Sequence, residues 1–239
     1  MILGAMRVCD FPLLPLTVGA LADAVDKLIF LVDSPEGSET LSLVTNHPKT
    51  ARIAMHMEKG FHQGRTYRTL FKLAEGMGAN YIFYPDEDEL LPDREDLLRA
   101  LKQAEIKARG RPVAAQMRMV YCWGNENTVA LTRVSWLHCK AASWSSDLPD
   151  AFLLPDGRGV GHCKPQKRVV GTVPYPFRHL CRMTPDLDAR WEQHGVTIYG
   201  RRAWPGEWPP TRTAPWNPKT TAKEWVTIMT EARSCRNKT

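Results

Sequence analysis

Apolar and polar residues alternate in two rhythms along the first hundred positions. Short unbroken apolar runs, MILGAMRVC at the start, KLIFLVD at 27–33 and YIFYP at 81–85, have strand length. An uninterrupted run of this kind fits a strand buried on both faces. RIAMHM at 52–57 alternates and predicts a further strand. Between these runs the apolar spacing becomes helical. FPLLPLTVGALADAVD predicts a short helix entered through prolines, and SPEGSETLSLV begins as a loop and turns helical. Residues 64–79 place Tyr67, Leu70, Phe71, Ala74 and Met77 on one face, with Gly76 and Gly78 near the stop. Pro92 and Asp93 open a helix whose Leu97, Leu98, Leu101 and Ile106 are expected to share a face. The order β-α-β-α-β-α-β-α implies an α/β domain with a mostly parallel central sheet flanked by helices.

The second half has a different character. RPVAAQMRMVYCW and NTVALTRVSW predict an antiparallel hairpin around GNEN. A Pro/Gly-rich stretch at 147–176 follows, then TPDLDARWEQHG, a short helix with Thr184 as N-cap, Pro185 at its first position and Gly195 as stop. RRAWPGEWPPTRTAPWNP holds five prolines and three tryptophans in 18 residues, which predicts an extended arm packed by its indoles. Asn217 and Pro218 are expected to cap a last helix bearing Trp225, Val226 and Met229. No internal repeat is visible. The reading is one domain: residues 1–105 as a ligand-binding half, 106–200 as a second half carrying the partner substrate, and 201–239 as a Pro/Trp-rich basic extension.

Composition narrows the class. The 239 residues are 24% charged and 43% hydrophobic, which is ordinary for a globular chain. No apolar run approaches the ~18 residues of a membrane span, and no basic stretch precedes an apolar one as in a signal peptide. The six cysteines form no CxxC pair, so neither a zinc cluster nor a disulfide framework is expected, and the thiols read as reduced in a cytoplasm, the expected location, including a host cytoplasm if the chain is phage-encoded. Net charge is +6, unevenly placed. Residues 201–239 hold eight Lys/Arg and three acids, against 24 and 23 in the rest. A basic end can meet nucleic acid, an anionic surface or only water.

Four consecutive acids, Asp86, Glu87, Asp88 and Glu89, follow the YIFYP strand. Like charges this close repel, so a cation belongs beside them. In parallel α/β sheets ligands sit off the carboxyl ends of the strands. Asp10 and Asp33 end two other predicted strands, so three acidic features fall on one expected rim. Hard oxygen ligands in the pattern D-x-D-E suit Mg²⁺ or Mn²⁺ beside a diphosphate. The same acids also fit a solvated cap at a helix start.

The ordered set LIFLVDSPEGSETLSLV and HQGRTYRTLFKLAEGMGANYIFYPDEDELLP resembles family-2-type nucleotide-sugar glycosyltransferases of the GT-A fold, over roughly residues 1–105. The resemblance implies a GT-A-like domain and metal-dependent sugar transfer with inversion, using a nucleotide-sugar donor, a UDP-sugar first among them. It implies that Asp33 contacts the nucleotide, that Asp86 and Asp88 hold the metal and the nucleotide sugar, that Glu89 is the acid often found next, and that Arg65 and Arg68 face the nucleotide. Asp10 lies near the family's first-strand nucleotide contact, although the usual Asn-Glu is missing there. By position, His179 matches a late metal or diphosphate ligand, with His162 as the competitor.

The acceptor half is less determined. An inverting transfer needs a general base, and SWSSDLPDAF offers Asp147 and Asp150. Trp144 in the same stretch, with Arg201 and Arg202 at the start of the basic end, are candidate acceptor contacts. Some phage glycosyltransferases of similar fold modify hydroxymethylated bases, so DNA is one possible acceptor beside a glycan, a lipopolysaccharide core or a protein. No protein partner is evident. Two other classes stay open. A nucleotidyltransferase would release pyrophosphate, though a Gly-rich basic loop after the first strand is missing. A non-enzymatic nucleic-acid-binding module would work through the basic end alone.

Overall fold

The computed structural model describes residues 1–56, 63–132, 137–151, 167–181, 183–187, 189, 210 and 212–234. The chain divides into two compact units, one of residues 1–116 and 138–173, the other of residues 117–137 and 174–239.

The first unit is the predicted α/β sandwich. Its strands are β1 (Ile2–Val8), β2 (Lys27–Val32), β3 (Thr50–Met55), β4 (Tyr81–Phe83) and the two-residue β5 (Glu89–Leu90), with the first residues of β6 (Val113–Trp123), then β8 (Leu137–Ser143) and β9 (Val169–Thr172). The spatial order is β3-β2-β1-β4-β8-β6. β1 pairs parallel with both β2 and β4, β2 with β3, and β6 with β9. β4 and β8 pair antiparallel, Phe83 opposite Ala141. The sheet is therefore mostly parallel, with helices packed on it. Leu28 to Val32 are each fully buried, as an apolar run on an inner parallel strand requires.

Helices α1 (Leu14–Ala24), α2 (Glu39–Asn46), α3 (Gln63–Lys72) and α4 (Arg94–Ala108) fill the crossovers. α1 carries Pro at its first turn, and Ser38 caps α2 by accepting from the Leu41 amide at 3.1 Å. α3 is shorter than the predicted helix, yet Tyr67, Leu70, Phe71 and Ala74 are all buried in one core with Leu3, Ile29, Leu31, Ile82 and Tyr84. In α4 the predicted face needs correcting. Leu97, Ala100, Leu101, Ala104 and Ala108 are buried, whereas Ile106 is 82% exposed. Nine residues beyond Leu97, at about 3.6 per turn, Ile106 lies half a turn away, and small alanines complete the stripe instead. They let the helix close tightly on the sheet: a Cβ at Gly171 would lie 2.0 Å from the Ala100 carbonyl oxygen. A Cβ at Gly4 would likewise meet Leu28, Leu21 and Val25.

The second unit is antiparallel at its centre. The later part of β6 forms the predicted hairpin with β7 (Asn125–Ala130) around Gly124, whose φ is 82°. β11 (Thr213–Pro215) continues on β7, and β10 (Phe177–His179) runs parallel to β6. α5 (Ala222–Ser234) covers a small core of Val120, Val129, Trp225 and Met229. Its cap is Thr221, not Asn217. The Thr221 amide donates to Glu224 Oε2 and the Glu224 amide to Thr221 Oγ1, a capping box. Asn217 closes a turn before it, its side chain accepting from the Lys219 amide at 2.9 Å. Trp216 stacks on Trp225 with centroids 5.9 Å apart, so this arm tryptophan packs as predicted. Trp204, Trp208 and Gly195 lie outside the described residues.

Candidate nucleotide site at the strand ends

The first unit gathers the strand-end acids on one rim, and hydrogen bonds record how. Asp10, after β1, accepts from Ser34 Oγ at 3.0 Å and Thr40 Oγ1 at 2.9 Å, residues that follow β2 and open α2. Asp33, after β2, is ion-paired through Oδ2 to Arg7 of β1. His56, after β3, places Nδ1 3.6 Å from Asp33 Oδ1, beyond a hydrogen bond. Its ring is almost wholly buried, and its Nδ1 has no hydrogen-bond partner among the described residues. Glu87, after β4, takes both the amide of Cys9 and its thiol, the latter at 2.6 Å. The carboxyl ends of β1, β2 and β4 are thus tied together by their own acids.

The turn 86–89 contains a cation the sequence pattern did not reveal. Lys140 of β8 is fully buried, with Nζ 2.9 Å from Asp86 Oδ2 and 2.7 Å from Glu89 Oε2. Burial works against its charge, but the pull of Asp86 and Glu89 outweighs this and holds the ammonium well above its usual pKa. Asp86 Oδ1 accepts from Tyr67 OH at 3.1 Å. Burial in the core, and then the Asp86 charge, push the Tyr67 hydroxyl up. Glu89 Oε2 also accepts from the Asp86 amide at 2.8 Å. Glu87 is raised to about 7, chiefly by burial and against the Cys9 hydrogen bonds that favour its charged form. Burial, and then Glu87, push the Cys9 thiol far up. Asp88 is half-buried at the tip of the turn.

The other candidates are placed as follows. Arg65 lies on α3, and its side chain is outside the described set. Arg68, also on α3, is paired with Asp150 at 2.8 Å, both exposed. Asp147 accepts from Ser145 Oγ at 2.6 Å and from the buried Arg168 at 3.2 Å. Partial burial pushes Asp147 up, but the Ser145 hydroxyl and Arg168 prevail and hold it below the usual carboxylate range. Trp144 is half-buried against the first unit's core. His179 belongs to the second unit, where its Nδ1 is 3.1 Å from Cys181 Sγ and its ring meets the edge of Tyr121. Thr184 caps the turn after it, accepting from the Leu187 amide. His162, Arg201 and Arg202 lie outside the described residues. Cys9, Cys122, Cys139 and Cys181 are free thiols.

The residue types fit a divalent cation at the turn. Asp86 is gripped from inside but 31% exposed, each carboxylate oxygen has a second lone pair, and Asp88 adds a further carboxylate. Among the described residues no helix is long and apolar enough to cross a membrane.

No family model matches the chain, and no curated protein matches it. Among solved structures it is similar to a 4-diphosphocytidyl-2C-methyl-D-erythritol synthase, at 15% identity and a TM-score of 0.36, over 59% of this chain and 72% of that one. It is also similar to mannose-6-phosphate isomerase from Helicobacter pylori, at 17% identity and a TM-score of 0.31, over 63% of this chain and 64% of that one. Both are remote likenesses.

Proposed function

We propose that this protein is a metal-dependent glycosyltransferase that moves a sugar from a nucleoside-diphosphate sugar to an acceptor hydroxyl with inversion. The observation that carries the reading is the convergence of Asp10, Asp33 and the 86–89 turn on the carboxyl rim of parallel strands β1, β2 and β4, where such sheets bind nucleotides. In the transfer, the bond from the sugar's anomeric carbon to the diphosphate breaks as the acceptor oxygen attacks the opposite face. The nucleoside diphosphate leaves, and the acceptor proton passes to a carboxylate.

Asp147 is our candidate for that carboxylate; the side chains around it favour its deprotonated form. Asp150, paired with Arg68, is the other. Mn²⁺ or Mg²⁺ would be held by Asp86 and Asp88. The ion would neutralise the departing diphosphate. Uridine is the nucleotide we favour. Asp33, with Arg7 and His56 beside it, is the group we expect the base to meet. For the acceptor, a hydroxymethylated pyrimidine in DNA comes first, on the charge of residues 201–239.

The test is calorimetric titration with UDP, GDP, CDP and ADP, with and without Mn²⁺, followed by product analysis with a nucleotide sugar. Metal-dependent binding of UDP alone is expected, and Asp86→Ala/Asp88→Ala should abolish turnover by at least ~100-fold while the protein stays folded. Release of pyrophosphate from a nucleoside triphosphate would replace this reading with nucleotidyl transfer. Retained activity in the double variant would remove the metal role.

A further inference from the structure

We infer that Lys140, together with Tyr67, is a positioning residue for the donor site: the two fix the Asp86 carboxylate from inside, so that its outward lone pairs keep one direction. The inference rests on the donor-binding reading above. Four contacts carry it. Lys140 Nζ reaches Asp86 Oδ2 at 2.9 Å and Glu89 Oε2 at 2.7 Å. Tyr67 OH reaches the other oxygen, Asp86 Oδ1, at 3.1 Å. Glu89 Oε2 returns to the Asp86 amide at 2.8 Å, fixing backbone and side chain of the same residue.

The scaffold delivers these groups rigidly. Lys140 sits within β8, whose backbone carbonyl accepts from the Tyr84 amide at 2.9 Å, two residues before Asp86. Tyr67 is itself wedged between Phe71, stacked at 5.7 Å, and Tyr84, edge-on at 5.7 Å. Both grips on the carboxylate therefore come from regular elements.

Stability alone does not call for this arrangement. A buried ion pair recovers its desolvation cost only with good geometry, and an apolar replacement of similar shape is often neutral or stabilising. Here one partner, Asp86, keeps 31% of its side chain in contact with solvent, whereas Lys140 has none. The cluster is a fixed base with one carboxylate presented outward. Groups that orient a ligand in this way cost roughly 10–100-fold in metal affinity or activity when removed.

Two variants test the inference, each read by urea denaturation and by calorimetric titration of UDP with Mn²⁺. Lys140→Met/Glu89→Gln removes one buried cation and one buried anion, so the net charge of the cluster is kept and the Gln carbonyl can still accept from the Asp86 amide. Tyr67→Phe removes a single hydroxyl and leaves the ring stacking in place. The expected result is a near-normal urea midpoint for Tyr67→Phe, with UDP·Mn²⁺ binding weakened roughly 10-fold in each folded variant. In an Asp86→Asn background the same changes should cost almost nothing, because their effect passes through Asp86. If the wild type binds UDP with Mn²⁺ and Tyr67→Phe and the double variant bind it equally well, or their losses persist in full beside Asp86→Asn, the positioning role is overturned. Should the Lys140 variant not fold, Tyr67→Phe and its cycle with Asp86→Asn decide the matter. A wild type that binds no nucleoside diphosphate overturns the donor reading, and this inference with it.

Discussion

Lys140 of the first unit is fully buried and Arg178 of the second half-buried, and the two are held by partners that differ in kind. In the first unit Lys140 is sealed among Asp86, Glu89 and Tyr67, charge against charge. In the second, Arg178 donates to the Glu126 carbonyl at 2.8 Å and to Asn127 Oδ1 at 3.3 Å, and lies 5.1 Å from the ring centre of Trp216. Those partners are neutral. Removing a cation from among neutral acceptors leaves a carbonyl that water can reach. Removing it from between two carboxylates leaves uncompensated charge. The comparison teaches that a buried lysine with acidic neighbours commits its surroundings, whereas a stacked arginine is replaceable.

The sharpest way to break the comparison is Lys140→Met alone. Stranding Asp86 and the buried Glu89 should cost about 3–5 kcal/mol, read as a large drop in the urea midpoint. A loss near 1 kcal/mol would erase the distinction. Glu87→Gln tests the acid on the same turn that has no lysine. Glu87 is raised to about 7 from an ordinary 4.5, so the folded state binds more protons than the unfolded one between those values. Stability should therefore fall as pH rises from about 4.5 through about 7, by at most about 3 kcal/mol from this group. Glu87→Gln should remove that fall in metal-free buffer, with little change below pH 4.5; denaturation midpoints across pH 4 to 8 check both. Smallest is Arg178→Met, which keeps the bulk over Trp216 and loses a charged hydrogen bond and the ring contact, at roughly 1–3 kcal/mol. If Arg178→Met costs as much as Lys140→Met, the neutral acceptors are not the cheaper arrangement.

How much was legible in the sequence follows the same line between local and distant causes. Strands β1 to β4 could be read because unbroken apolar runs flanked by helical spacing carry their own signature. The acids on the rim could be read because a parallel sheet fixes which strand ends share an edge. Strand β8 was missed, since LHCKAAS carries a lysine mid-run, and the reason for that lysine lies more than fifty positions earlier, in the turn it serves. The tie between Cys9 and Glu87 spans 78 positions and left no local mark either. β9, β10 and β11 hold four, three and three residues within Pro-rich stretches, too short for periodicity to show. The misplaced Ile106 and the cap assigned to Asn217 were errors of phase: a few residues along a helix decide which side meets the core and where the first turn closes.

The tight seat of α4 on β9 has a consequence for anyone comparing relatives of this chain. Position 171 cannot accept even a methyl group without pushing against the Ala100 carbonyl oxygen, whereas at position 4 the nearest atom is the movable end of Leu28. Position 171 would stay glycine in a randomised library selected for folding alone. Invariance there would measure how closely the helix sits on the sheet.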